Sequence, residues 1–465
     1  MWLVGILVAV ALGYVWMRVF LPSEGVALDV ALGAALGTGA TGCLYFLMTI
    51  AGLAGVAWVT ATEVALLACG TALFLRRRKP PLPAAGEEGF DWNWALGLAL
   101  AGCLALFLMS LADAAQMNPQ GEWDAWAIWN LRAKFLAGGP ATWRYAVSPW
   151  LSHTHPEYPL LVSACIARLW TYAGGETAAV VPMATALLFL AIAGGVLIAG
   201  LARLRGTSAG LLAGLVLMAS ELYLSQVASQ YADVPLSAFL LAALVMVSLK
   251  VRDDASGAAP WCLAGAFASF AAWTKNEGIL FVIFLAVSYG AVRWRRDGLR
   301  GAGALALGAA PIMALVAWFK FVAVPVVDLP MRQTGAQMAS KLIDAGRYIV
   351  IVKAFLAQLV DLGKLYTHPL LLLAILYFAL RTRASKPPWE AARVAFLTLG
   401  LMLAAYAGVF LITPADLAWH MDNSLGRLYG QLWPGVLLAI FLALPRVEDL
   451  AVVHQVAGKR KRGKR

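Results

Sequence analysis

Two carboxylates in the segment GEWDAWAIWNLRAKFL have the type and spacing for acid–base chemistry. Glu122 and Asp124 are two residues apart, so in an extended loop they share a face and could act together on the proton of a hydroxyl group. The segment then becomes helical in pattern, with Trp126 and Trp129 on one face and Trp123 beside the carboxylates. The alternative is structural: Asp124 caps this helix, and the tryptophans form an aromatic belt at a membrane interface.

A second polar segment, HTHPEYP, could bind a metal ion. His153, His155 and Glu157 follow one another at every second position, and imidazole and carboxylate groups are metal ligands. Its two prolines make the segment rigid and non-helical, which suits the wall of a site. The alternative is a polar turn before the next helix, so the metal stays unknown and a divalent cation stays an open alternative.

Two further ionisable side chains lie at the ends of apolar segments. Asp233 belongs to QYADVP and Lys275 to WTKNEG. Charged groups at membrane depth are costly, and they are therefore functional candidates. The alternative for Lys275 is that its long side chain reaches the interface. Glu63 lies deeper in an apolar segment, and the sequence assigns it no function.

Composition predicts a membrane protein. The chain has 465 residues, of which 62% are hydrophobic and 13% charged, whereas soluble domains carry about 25% charged residues. Apolar runs of roughly 20 residues recur along the chain, and in lipid such runs must be helical. We therefore expect an all-α polytopic membrane protein with about 13 transmembrane helices and with interfacial helices in its external loops.

The net charge of +11 is distributed in a way that excludes nucleic acid as a partner. The positive residues form short clusters between apolar runs (RRRK, RLR, RWRR, RTR and the tail GKRKRGKR). This is the pattern of cytoplasmic loops. The five cysteines lie in apolar segments without metal-site spacing, so we interpret them as small core residues.

The charge clusters give a domain organisation. Three extra N-terminal transmembrane helices are predicted in 1–78, and a catalytic transmembrane region in 94–445. That region includes the external loops 113–158 and 324–367, and a basic cytoplasmic tail occupies 446–465. All the polar motifs then lie on one face of the membrane.

Two segments do not fit simple crossings. The run 159–172 is short and contains an arginine, and charge parity is kept only if it lies along or dips into the outer interface. The run 261–292 has cytoplasmic charge on both sides, so we expect a hairpin of two short helices with TKNEG at its outer tip. The sequence shows no internal repeat.

The order of these motifs resembles the GT-C superfamily of glycosyltransferases, which use polyprenyl- or dolichyl-phosphate sugars. The similarity is to protein O-mannosyltransferases and to aminoarabinose lipid A transferases. It lies in GEWD, HPEYP, YADVP, WTKNEG and TPADLAWHMDNSLGRLYGQLWP. HPEYP departs from the more usual His-Pro-Pro of the family.

The resemblance implies sugar transfer to an acceptor hydroxyl, with inversion at the anomeric carbon and with Asp124 as general base. Asp124 is preferred to Glu122 because it directly precedes the helix. The predicted site comprises Asp124 and Glu122 for catalysis; Lys275, Arg427, Arg132 and His155 for the donor phosphate; and Trp123, Trp126, Glu157, Tyr158, Tyr231, Asp233, Asn276 and Glu277 for substrate.

The expected partners are a polyprenyl-phosphate sugar donor, a lipid, protein or glycan acceptor, and the membrane. The expected location is the plasma (inner) membrane, with the site on the periplasmic or external face. Two other functions remain open: a transporter or flippase of a lipid-linked or small polar solute, and a non-catalytic assembly subunit. Transporters tend to have repeats and a site at the membrane midplane, neither of which the sequence indicates.

Overall fold

The computed structural model describes residues 1–77, 93–175, 177–254, 257–324, 333–363, 368–380 and 389–445, and in these ranges the chain is helical and has no β-strand. The helices are α1 (Trp2–Phe20), α2 (Val26–Ile50), α3 (Val56–Arg76), α4 (Asn93–Met117), α5 (Leu131–Ala137), α6 (Leu161–Tyr172), α7 (Val180–Arg205), α8 (Thr207–Met218), α9 (Glu221–Ala228), α10 (Asp233–Arg252), α11 (Ala259–Thr274), α12 (Asn276–Val292), α13 (Trp294–Trp318), α14 (Gly335–Ile343), α15 (Ala345–Val360), α16 (Pro369–Leu380), α17 (Trp389–Ile412) and α18 (Leu417–Ala443). The all-α class is confirmed.

Many of these helices could cross a membrane. Within the described ranges nine are long and apolar enough to do so, and ten spans result if α8 and α9 are counted as one. Helices α8 and α9 meet at an angle of 68°. Ser220, between them, has an extended backbone, and its hydroxyl accepts a hydrogen bond of 2.6 Å from Trp433.

Helix α10 lies at the centre of the bundle, between α7, α11 and α18. Every residue from Asp233 to Lys250 is buried, as expected for a helix that is apolar on all sides. Its 20 residues make it about 30 Å long. Asp233, at its first position, and Arg252, at its last, therefore mark two opposite ends of the bundle.

The basic residues gather at the Arg252 end. Arg252 and Arg203 both pair with Glu24, at 2.6 and 2.8 Å. Arg293 pairs with Asp254, two residues after Arg252, at 2.5 Å. These contacts place the clusters RLR and RWRR at the end of the bundle opposite Asp233, as the charge pattern predicted.

Helices α11 and α12 form the predicted short hairpin. Lys275 lies between them in an extended conformation, with φ −149° and ψ 160°, which ends the first helix and lets the chain reverse. Gly278 is needed at this turn, because a Cβ atom there would lie 2.1 Å from the backbone of Ala271. The tip of the hairpin is at the Asp233 end of the bundle and its base at the Arg252 end.

Helix α6 is enclosed by protein. All 12 of its residues are buried, and α1, α2, α5 and α7 surround it. Its length of about 18 Å is too short to cross a hydrocarbon core of about 30 Å. The sequence predicted that this segment lies along or dips into the outer interface; the structure shows that protein encloses it and that its arginine has a buried partner. Arg168 donates from Nε and Nη2 to the two oxygens of Glu63, both at 2.6 Å, and Tyr172 donates to the same carboxylate at 2.8 Å.

The N-terminal helices are part of the bundle. Helix α2 packs against α6, α7, α10 and α11. Its Phe46 is fully buried and lies 5.2 Å from Trp273, 6.0 Å from Trp143 and 6.3 Å from Trp318, between ring centroids. Trp273 is two residues before Lys275, so α2 directly supports the hairpin tip. The three helices predicted in 1–78 are present, and α2 is integral to the core.

The described part of the predicted loop 324–367 contains two helices, α14 and α15. Apolar side chains of α15 such as Ile349 and Leu356 are exposed, as for a helix against lipid. Lys341 and Arg347 of these helices donate to carbonyl groups at the end of α17. The predictions for the basic tail 446–465, and for 325–332 and 364–367 of the second loop, lie outside the described residues.

Candidate active site

Asp233 is the centre of an ion-pair network at one end of the bundle. Its side chain is 1% exposed. Oδ1 accepts hydrogen bonds from Lys275 Nζ at 3.0 Å and from Gln431 Nε2 at 2.5 Å. Oδ2 accepts from Arg427, at 3.2 Å from Nε and 3.0 Å from Nη2. Both oxygens are occupied, so Asp233 fixes the two cations. This corrects its predicted function as a direct substrate ligand.

Arg427 connects this buried centre to the first external loop. Its Nη2 atom lies 2.7 Å from Asp124 Oδ2 as well as 3.0 Å from Asp233 Oδ2. The ring centre of Tyr231 lies 4.4 Å from the guanidinium carbon of Arg427, which is within range for a cation–π contact. The side chain of Arg427 is 21% exposed, so this predicted phosphate ligand borders solvent.

Lys275 is less accessible than Arg427. Its side chain is 4% exposed, and its Nζ atom lies 3.0 Å from both Asp233 and Glu277. Burial alone would lower the pKa of Lys275, but these two carboxylates raise it above its ordinary value. The amine is therefore a fixed cation, and among the two main phosphate candidates Arg427 is the one that borders solvent.

Two residues that sequence analysis missed complete the buried side of the network. Gln431 donates to Asp233 and also lies 3.4 Å from Glu277 Oε1. Tyr406 donates to Gln431 Oε1 at 2.7 Å, which fixes the orientation of the amide. The only signal in the sequence was their position in the last two apolar helices, where polar side chains need a partner.

The first external loop presents Asp124 on an unusual helical turn. Residues Ala125–Asn130 form a π-helix, a structure that occurs frequently at functional sites. The side chain of Asp124 accepts no hydrogen bond from the described backbone of this turn, so the capping alternative is wrong. The prediction that Trp126 and Trp129 share a face is also wrong. The wider turn separates them: Trp126 is 51% exposed and Trp129 is fully buried.

Glu122 does not join the ion-pair network. Its Oε1 accepts a hydrogen bond of 2.9 Å from Asn118 Nδ2, and its backbone N–H donates to Ser229. The exposed rings of Trp123 and Trp126 contact each other, with centroids 6.0 Å apart. This part of the loop therefore offers an aromatic surface next to Asp124.

Arg132 is too deeply buried for its predicted contact with the donor phosphate. It is 0% exposed. Its guanidinium donates to the carbonyl groups of Thr154 at 2.5 Å and Tyr158 at 3.2 Å, and also to that of His155. These bonds hold the HPEYP segment, including the left-handed backbone of His155 (φ 54°). Burial lowers the pKa of Arg132 to about 10. The correction is that Arg132 positions the loop.

The HPEYP segment forms one wall of the site. The ring of Tyr158 stacks on Trp129 and on His155, with centroids 5.8 and 4.8 Å apart, and lies 6.0 Å from Lys275 Nζ. Burial raises the pKa of the Tyr158 hydroxyl, with Glu277 adding to the effect. The hydroxyl is therefore a neutral hydrogen-bond donor at physiological pH.

The metal interpretation of this segment has no support. Nδ1 of His155 lies 2.9 Å from Glu157 Oε1, whereas His153 is exposed. Across the described parts of the chain, no three His, Cys, Asp or Glu side chains come together in a way that could hold a metal ion. Glu157 is buried and paired with His155, whose side chain is 33% exposed. The contact of His155 with phosphate and that of Glu157 with substrate stay predictions.

Lys320 is a further site residue that sequence analysis missed. It lies on a second π-helical turn, Phe319–Ala323, directly after α13. Its Nζ atom donates to the carbonyl oxygen of Glu157 at 2.5 Å and to Asn276 Oδ1 at 2.6 Å. It thus ties the HPEYP segment to the hairpin tip, and Asn276, predicted to bind substrate, serves as its partner. A lysine at the outer end of an apolar helix was the available signal.

We expect Lys320→Met to lower kcat for a reaction at this site about tenfold, because small displacements of positioned groups slow catalysis. Lys320→Arg, which keeps the charge and the donors, should recover part of the loss. The measurement is kcat and KM of the purified protein together with its melting temperature. A fall in melting temperature with unchanged kcat would assign Lys320 to stability alone.

No protein-family model, curated protein or solved structure matches this chain.

Proposed function

We propose that this protein is a membrane glycosyltransferase of the GT-C type, with about 13 transmembrane helices. It transfers a sugar from a polyprenyl-phosphate donor to an acceptor hydroxyl, with inversion. The site faces the periplasm or cell exterior from the plasma (inner) membrane. The observation that carries the proposal is the meeting of Asp124, Asp233, Lys275 and Arg427, which come from separate segments, in a single network at the end of the bundle opposite the basic clusters.

The contacts support separate functions for Arg427 and Asp124. Arg427 borders solvent and is held from behind by Asp233, so it suits the phosphate of the donor, which charge-assisted hydrogen bonds bind well. Cations at the leaving phosphate stabilise the charge that develops on it. Asp124 lies beside Arg427, at the position from which a carboxylate can take the acceptor proton.

The surroundings fit a substrate that is part sugar and part lipid. Trp123 and Trp126 expose their rings next to Asp124, where they suit the apolar face of a sugar or the first units of the carrier chain. The exposed apolar side of α15 is suited to the outer leaflet. Glu122 positions the acceptor or orients the loop.

Reconstituted protein tests the proposal. Proteoliposomes that contain the wild-type chain are incubated with labelled polyprenyl-phosphate sugars and an extract of envelope lipids and glycans as acceptors. We expect cleavage of the donor, with release of polyprenyl phosphate and with label on the acceptor; Arg427→Ala should abolish both. Movement of intact donor across the bilayer without cleavage would instead identify a flippase.

A further inference from the structure

Arg427 has two carboxylate partners that differ in exposure. The inner partner, Asp233, is 1% exposed and contacts both Nε and Nη2. The outer partner, Asp124, is 16% exposed and contacts Nη2 at 2.7 Å. Because the buried carboxylate, Asp233, holds Arg427 in place, Nη2 can exchange its solvent-facing partner, Asp124, for another anion.

The network holds more carboxylates than cations, so an incoming anion meets a net negative charge there. The network holds two cations, Lys275 and Arg427, and three carboxylates, Asp124, Asp233 and Glu277. Lys275 is enclosed between the two inner carboxylates. A phosphate that approaches from solvent therefore meets Arg427 where Asp124 now lies, and two anions at that point repel each other.

We propose that the phosphate of a prenyl-phosphate ligand displaces Asp124 from Arg427, and that this exchange makes the carboxylate available as a base only when the donor is bound. The proposal rests on the function proposed above. Asp233 keeps Arg427 in place throughout the exchange. Before donor binding, Asp124 is held in an ion pair and cannot serve an acceptor.

The exchange sets the order of events. The donor binds first and takes the Nη2 contact, and the released Asp124 then meets the acceptor hydroxyl. In the transfer, the bond between the anomeric carbon and the phosphate oxygen breaks as the bond to the acceptor oxygen forms. The acceptor proton passes to Asp124, and the electron pair of the broken bond leaves with polyprenyl phosphate.

The exchange predicts that removing the charge of Asp124 strengthens phosphate binding. A ligand that must break the Asp124–Arg427 contact binds more weakly by the free energy of that contact. For a partly exposed ion pair this corresponds to a factor of about two to five in affinity. Asp124→Asn should therefore bind a short-chain prenyl phosphate about two to five times more tightly than the wild-type protein.

The experiment is calorimetric titration of nanodisc-embedded protein with that prenyl phosphate, with the prenyl alcohol as blank. Asp422→Asn is the matched control. It removes an exposed carboxylate from α18, five residues before Arg427, and tests for a general loss of negative charge. Its affinity should stay within about twofold of the wild type. Asp124→Ala serves as a second variant and should show the same gain.

The outcomes distinguish a failure of the exchange from a failure of the proposed function. Tighter binding by both Asp124 variants, with the control unchanged, supports the exchange. Equal or weaker binding by them, or an equal gain in Asp422→Asn, overturns it while leaving the glycosyltransferase assignment in place. If the wild-type protein neither binds the prenyl phosphate nor cleaves a prenyl-phosphate sugar, the proposed function fails, and the exchange fails with it.

Discussion

Asp124→Asn should lower the rate of sugar transfer by at least about 100-fold, because general base catalysis contributes roughly 10²–10⁴-fold. The amide keeps the shape of the side chain and can still accept a hydrogen bond from Arg427, but it cannot take a proton. Asp124 is partly exposed and its ion pair is one of two made by Arg427, so the melting temperature should change little. The measurement is single-turnover transfer by reconstituted protein at saturating donor.

Two comparisons make this result specific. Asp422→Asn, on the same end of the bundle, should retain transfer at the wild-type rate. Glu122→Gln should cause a smaller loss than Asp124→Asn, because Glu122 contacts Asn118 and lies outside the network around Arg427. Transfer by Asp124→Asn at more than about a tenth of the wild-type rate would remove Asp124 from the catalytic assignment.

The sequence could predict which residues meet at one end of the bundle. Asp233 begins a buried apolar helix, and Lys275 ends another. Lys250 and Arg252 lie at the far end of the first helix, and the cluster RWRR follows the second leg of the hairpin, so the position of a motif relative to the basic residues determines the end at which it lies. The same reasoning explains why the hairpin of α11 and α12 was predictable. Its two legs are short, and charge flanks both sides.

The individual pairings could not be predicted. Arg168 and Glu63 are 105 positions apart, and nothing in the local pattern of either helix specifies the other. For the same reason, the sequence shows that Arg132 lies in the loop 113–158 but does not predict that its guanidinium donates to the carbonyl groups of HPEYP. The sequence also could not predict the π-helical turn after Asp124, because an apolar pattern over six residues fits an α-helix and a π-helix equally well.

Asp233→Asn should damage both the stability and the activity of the protein, in contrast to Asp124→Asn. Asp233 accepts hydrogen bonds from Lys275, Arg427 and Gln431 in a buried position. An amide has one accepting oxygen and one donating nitrogen, so in either orientation its N–H group faces a donor. Breaking a buried ion pair in this way costs about 3–5 kcal/mol. We expect a clear fall in melting temperature and loss of prenyl-phosphate binding.

A double variant tests whether the cause is the unpaired charge. Asp233→Asn combined with Lys275→Met removes the buried amine that faces the new amide and that would keep only Glu277 as a partner. It should recover part of the melting temperature, whereas Lys275→Met alone should lower it, because Asp233 and Glu277 then lose their common counter-ion. The recovered stability should not restore transfer, since Arg427 would still lack its inner carboxylate. If Asp233→Asn alone keeps the wild-type melting temperature and binds the prenyl phosphate normally, Asp233 does not hold the two cations in place.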